Sequence, residues 1–255
     1  MLFRSYTVQP RDIWNFLTSG NRDSADFKIN RAVPTLFSLL TISILATIAM
    51  LALPPLVLGS RLPTERGVRV FLLYFLCIGV GYILVQVAMI QKFVLLLGHP
   101  TYALIVIIFA MLLASSLGSY WSKRLGAAER DSTLRWVLAT VAFLVGALAL
   151  VITPLSNAAV GWPFAARVGL TLALIAPPAF VMGMPFPSGL SRLERWHSPS
   201  VRWAWSINAA ASVLGSGLSM FLALYLGLRE TLLLGGLLYL VAVGAVSSRA
   251  NTPAA

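Results

Sequence analysis

Hydrophobic positions in this chain do not alternate with polar ones; they run together. Apolar stretches occupy roughly 34–58, 68–90, 102–121, 136–153, 166–182, 204–226 and 230–246. Each is near the about 20 residues that a helix needs to cross the hydrocarbon core of a bilayer. The pattern predicts an all-α, polytopic membrane bundle of about seven transmembrane helices over residues 33–248. A polar tail, 1–32, precedes it and a short tail, 249–255, follows. Within the first tail, Asp12 suits the cap of a short helix whose Ile13, Trp14, Phe16 and Leu17 cluster on one side. Two readings stand for it: an interfacial helix on the membrane or a partner, or a partly ordered terminus.

Prolines punctuate the runs. Pro54-Pro55 is expected to kink or end the first, Pro154 to end the fourth, and Pro177-Pro178 to interrupt the fifth. The connection QKFVLLLGHPTY, 91–102, is too apolar for an ordinary loop and is expected to hug the interface. At Gly183–Pro187 the sequence GMPFP stops a long apolar run. Pro185 and Pro187 remove two backbone donors and disfavour helix in the residues before them. The break is either a broken helix whose free main-chain groups line a site, or an interfacial turn that reverses the chain. The basic segment after it, 188–202 with Arg192, Arg195 and His197, predicts a short surface helix and favours the turn.

Composition agrees with the pattern. The 255 residues are 58% hydrophobic and 11% charged, against about 25% charged in a soluble domain. The eight acidic residues all fall in the tail, in loops or at a helix end. The net charge of +11 therefore belongs to Arg and Lys beside lipid headgroups; it is too scattered for a nucleic-acid partner. Cys77 is the single cysteine, so no intrachain disulfide is possible, and no Cys/His cluster has metal spacing. No catalytic residue, metal or cofactor is expected, only bound lipid. Residues 1–31 lack the apolar centre of a secretory signal. Loop cations place the N-terminal tail outside and the C-terminus in the cytoplasm, although Arg4, Arg11, Arg22, Lys28 and Arg31 of the tail pull the other way.

Few residues offer chemistry. Gln86 and Asn208 are polar groups within spans, and burial of an amide in hydrocarbon demands a partner. Interhelical hydrogen bonding is the expected role, ligand contact the alternative. His99 precedes Pro100 without a carboxylate or cysteine nearby in sequence, which argues against a metal ligand. Small residues recur every four positions as Asn208, Ser212, Ser216 and as Ala211, Gly215, Ser219, and cluster again as Ala114, Ser115, Ser116, Gly118, Ser119. Such faces let helices approach closely in lipid.

Three stretches in order, QVAMIQKFVLLLGHPTYALIVIIFAMLLASSLGS, VMGMPFPSGL and WAWSINAAASVLGSGLSMFLALYLG, resemble the multispan part of bacterial membrane-bound spermidine synthase-like proteins. The likeness extends from about Arg66 to Tyr239. In that family the spans accompany a soluble aminopropyltransferase domain, which has no counterpart here; the tail of about 32 residues looks like a remnant linker to one. Gln86 stands where the family usually has a glutamate, which weakens any carried-over role in cation or proton handling. The resemblance implies a bacterial inner-membrane protein without the catalytic half.

Two functional classes follow. The first is a non-catalytic membrane subunit or scaffold that packs against other membrane chains, with a separate soluble aminopropyltransferase-like chain as a further partner if the protein is half of a split enzyme. The second is a transporter or channel for a small solute, supported by the helix breaks. The candidate positions for packing or ligand contact are Gln86, His99, Gly183, Pro185, Pro187, Asn208, Ser212, Gly215 and Ser216. GMPFP is read as chiefly architectural.

Overall fold

The computed structural model describes residues 32–58, 63 and 66–250. The polar tail with its Asp12 helix and residues 251–255 lie outside them. The described residues are 90% helical, without a strand. In order they form α1 (Ala32–Leu58), α2 (Arg66–Leu97), α3 (Pro100–Ser122), α4 (Asp131–Ala159), α5 (Phe164–Met182), α6 (Pro185–His197), a 3-10 turn (Ser198–Ser200), α7 (Val201–Tyr225) and α8 (Leu228–Ala250). The chain divides into two units, Met1–Ser38 and Leu39–Ala255; the bundle is the second.

Five stretches among the described residues are long and apolar enough to cross a membrane: Gly67–Leu97, Pro100–Ser122, Asp131–Ala159, Phe164–Tyr225 and Leu228–Ser247. They are compatible with a multi-pass membrane protein. The apolar part of α1, Phe37–Ala52, is shorter. The fourth stretch is 62 residues long, and its local geometry divides it into α5, α6 and α7, of 19, 13 and 25 residues.

Helix α2 is the hub. Its apolar window is 61% buried, whereas no other crossing stretch exceeds 44%. It packs along α7 and α8 and also meets α3, α4, α5 and α6. Two glycines explain how a single helix takes close neighbours on opposite flanks. Residues two apart point about 200° from one another around a helix. A Cβ on Gly79 would press on Ala211 and Asn208 of α7, and one on Gly81 on Tyr239 and the Gly235 carbonyl of α8. The Ala211, Gly215, Ser219 face of α7 turns inward as its spacing predicts: all three are buried, and Gly215 meets Val80 and Ile83 of α2.

A second tight seam joins α3 to α5. A side chain at Gly118 would run into the Phe180 main-chain carbonyl, and one at Gly183 into the main chain of Ser115. At their starts the same two helices bring Tyr102 and Phe164 together, with ring centroids 5.2 Å apart, so they run parallel and cross main chain to main chain at these glycines.

Helix α6 is amphipathic and held at one end of the bundle. Its Phe186 sits edge-on to Phe75 of α2 and Trp205 of α7, and its Trp196 edge-on to Phe71. Arg192 forms an ion pair with Asp131 at the start of α4, and Arg195 donates to the Ala128 carbonyl at 2.6 Å. The α3–α4 connection and the segment after α5 therefore share one side, as their common positive charge predicts.

Three punctuation marks act differently from expectation. QKFVLLL is not an interfacial connection but the last turns of α2; Phe93, Leu96 and Leu97 are core residues, and their burial carries the helix on until Gly98 leaves it at φ +81°. Pro154 does not end α4, nor does Pro177-Pro178 interrupt α5; all three lie inside their helices. A proline forfeits one main-chain hydrogen bond, and packing neighbours restore the balance in apolar bundles. GMPFP, third, is not a reversal. Gly183 and Met184 keep right-handed helical dihedrals (φ −73°, ψ −18° and φ −80°, ψ −38°). Pro185 is the first residue of α6, where no intrahelical N–H is needed, so the prolines start a helix as much as they end one.

Candidate functional site

The break between α5 and α6 opens onto a cleft of about 540 Å³, open on one side and within the about 300–1,000 Å³ typical of small-molecule sites; it is called the cavity below. Four long helices and the break itself supply its wall. From α2 come Ile78, Gly79, Tyr82 and Ile83; from α3, Ser115, Ser116 and Ser119; from the break, Met182, Gly183, Phe186 and Pro187. Asn208 and Ser212 of α7 and Tyr239 of α8 complete it.

Helical spacing brings these groups to one place. Ser115 and Ser119 are four apart on α3, Asn208 and Ser212 four apart on α7, and Gly79, Tyr82 and Ile83 follow i, i+3, i+4 on α2; each set shares a face. Ser119 lies one turn from the end of α3, while Tyr82 lies near the middle of α2. The cavity thus extends from the basic end of the bundle toward its centre. Gly183 has two roles: having no side chain, it lets α3 come close, and that approach sets Ser115 beside the break.

The wall is polar but uncharged. The Ser212 hydroxyl donates to the Asn208 carbonyl at 2.9 Å and the Ser115 hydroxyl to the Leu112 carbonyl at 3.3 Å. Each serine spends its proton on its own helix and leaves oxygen lone pairs for other partners. Tyr82 is in hydrogen-bonding reach of Ser115. The Asn208 amide makes no hydrogen bond to protein among the described residues, and its Oδ1 lies beside Gly79. The interhelical bond expected of Asn208 is absent there, and its amide remains available to the cavity.

The other candidates separate from this site. Gln86 is half-buried one turn beyond Tyr82, outside the lining, and likewise forms no hydrogen bond among the described residues. Ser216 is exposed and donates to the Val213 carbonyl at 2.7 Å; Gly215 packs against α2. Pro185 lies just outside the lining, where its carbonyl accepts the buried Tyr74 hydroxyl at 2.6 Å. His99 is a helix cap: its Nδ1 accepts the Thr101 N–H at 3.2 Å at the start of α3. No group of three His, Cys, Asp or Glu capable of holding a metal exists among the described residues.

Sequence reasoning passed over Tyr82, Tyr239 and Phe186, and treated the α3 serines as packing alone. Their signal was the coincidence of two i, i+4 polar pairs on different spans, Ser115/Ser119 and Asn208/Ser212, which becomes a site only when the helices are assembled. No family model, curated protein or solved structure matches the chain.

Proposed function

We propose that the chain is a seven-crossing membrane protein that takes a small solute into the cavity at the α5–α6 break, acting as a transporter or channel. The crossings are α1 to α5, α7 and α8, with α6 a surface helix at the basic, cytoplasmic side of a bacterial inner membrane. One observation carries the reading. Uncharged polar groups from four helices converge on a half-open cleft of about 540 Å³, the size of a small-molecule site. The discontinuity between α5 and α6 lies at the cytoplasmic end of that space.

A non-catalytic scaffold subunit, with other membrane chains or a soluble aminopropyltransferase-like chain as partner, is the second reading. It is favoured by the exposed stripe Phe109, Leu113, Leu117 on α3, which suits a neighbouring chain as well as lipid. Osmotic swelling of proteoliposomes separates the two. The transport reading expects at least one solute from a mixed neutral and charged panel to enter faster than into empty liposomes, and Asn208→Leu to slow it. Swelling equal to empty liposomes throughout, with recovery of the chain only in a stable complex, favours the scaffold.

A further inference from the structure

We infer that the cavity selects an uncharged, hydroxyl-bearing solute of polyol type and rejects ions of either sign; this rests on the solute-binding reading above. None of the fourteen lining residues is charged, and no acidic or basic side chain lies within the middle of a described span. An ion entering this space loses water that the wall cannot replace, which is why ion paths carry charged or dense carbonyl rings. A free cation faces a further barrier. The cavity extends toward the end of the bundle where Lys123, Arg124, Arg130, Arg195 and Arg202 are exposed and outnumber the exposed Glu129 and Glu194, and the excess of like charge opposes its approach.

What the wall does offer fits hydroxyls. The Ser115 and Ser212 protons are committed to main-chain carbonyls, so these oxygens act as acceptors. Asn208 supplies two donors and one acceptor, a pattern that pairs with a group able to donate and accept at once. A hydroxyl does both; a carboxylate only accepts and an ammonium only donates. The Tyr82, Tyr239 and Phe186 rings beside them cover the carbon skeleton between the hydroxyls.

Equilibrium retention by the purified full chain in detergent tests this, with radiolabelled glycerol, erythritol and myo-inositol against putrescine and succinate. At least one polyol should be retained, the two ions not. Asn208→Leu should weaken polyol retention by roughly tenfold, the equivalent of one lost hydrogen-bonding group. Ser116→Leu guards against misfolding as the cause, because Ser116 is exposed on α3 and its side chain only narrows the cavity; it should weaken retention too. Retention of putrescine or succinate, lost in Asn208→Leu, overturns the uncharged class while leaving a solute site. Failure to retain any polyol overturns the inference by itself; if swelling also equals empty liposomes, the solute-binding reading goes with it.

Discussion

Replacing Gly118 with alanine tests the seam on which the cavity depends. The added methyl group would point into the Phe180 main-chain carbonyl. A carbonyl on a helix cannot rotate away as a side-chain tip can, so α3 and α5 must move apart. Overpacking of this kind costs about 1–3 kcal/mol. Alanine returns up to about 1 kcal/mol of helix propensity at a mid-helix site; because the clash is with main chain the upper part of the overpacking range applies, leaving a net loss of about 2 kcal/mol. Gly146 of α4 provides the control, since a Cβ there meets nothing within 4 Å. Gly146→Ala should be neutral or stabilising by up to about 1 kcal/mol. Gly183→Ala should behave like Gly118→Ala, because its methyl group would strike the Ser115 main chain. The double variant Gly118→Ala/Gly183→Ala should lose less than the sum of the two, by on the order of 1 kcal/mol, since one separation of the helices relieves both clashes. Denaturation in mixed detergent micelles reads all four. If Gly118→Ala is as harmless as Gly146→Ala, or the double variant is additive, α3 and α5 do not meet main chain to main chain.

Other consequences are more local. Tyr74→Phe removes the hydroxyl that donates to Pro185 within a fully buried aromatic cluster, and should lower stability by about 1–2 kcal/mol in the same assay. Asp131→Asn deprives Arg192, whose side chain is 11% exposed, of its carboxylate. A loss of about 1–2 kcal/mol is expected, whereas Glu194→Gln, at an exposed position on the same surface helix, should stay within about 0.5 kcal/mol of the parent. His99→Ala removes the cap of α3 and should cost about 1 kcal/mol, with His99→Asn restoring most of it.

The apolar runs and the sparse charge announced a helical membrane bundle, because run length and composition report directly on burial in hydrocarbon. The proline marks were less informative. Pro154 and Pro177-Pro178 carry the same local penalty wherever they occur, and neighbouring helices decided that α4 and α5 continue through them. The same holds for QKFVLLL, whose fate turned on Phe93, Leu96 and Leu97 finding a core. GMPFP combines close packing with an opening. Its glycine does serve packing, against Ser115, yet that packing brings the break, Asn208 and Ser212 around one open space. Charges beside the break in sequence pointed to headgroup depth. They could not indicate that Tyr82 and Tyr239, distant in the chain, extend the same space toward the bundle centre.

Accessibility of that space is the most direct test. With Cys77, the sole cysteine and buried, replaced by alanine, single cysteines are introduced by Ser115→Cys, Asn208→Cys, Glu129→Cys at an exposed loop site and Ala149→Cys in the core. Alkylation by N-ethylmaleimide in proteoliposomes is then timed. The cavity predicts that positions 115 and 208 react readily, closer to position 129 than to the unreactive 149. If both remain as inert as position 149, the helices close where a solute site is proposed.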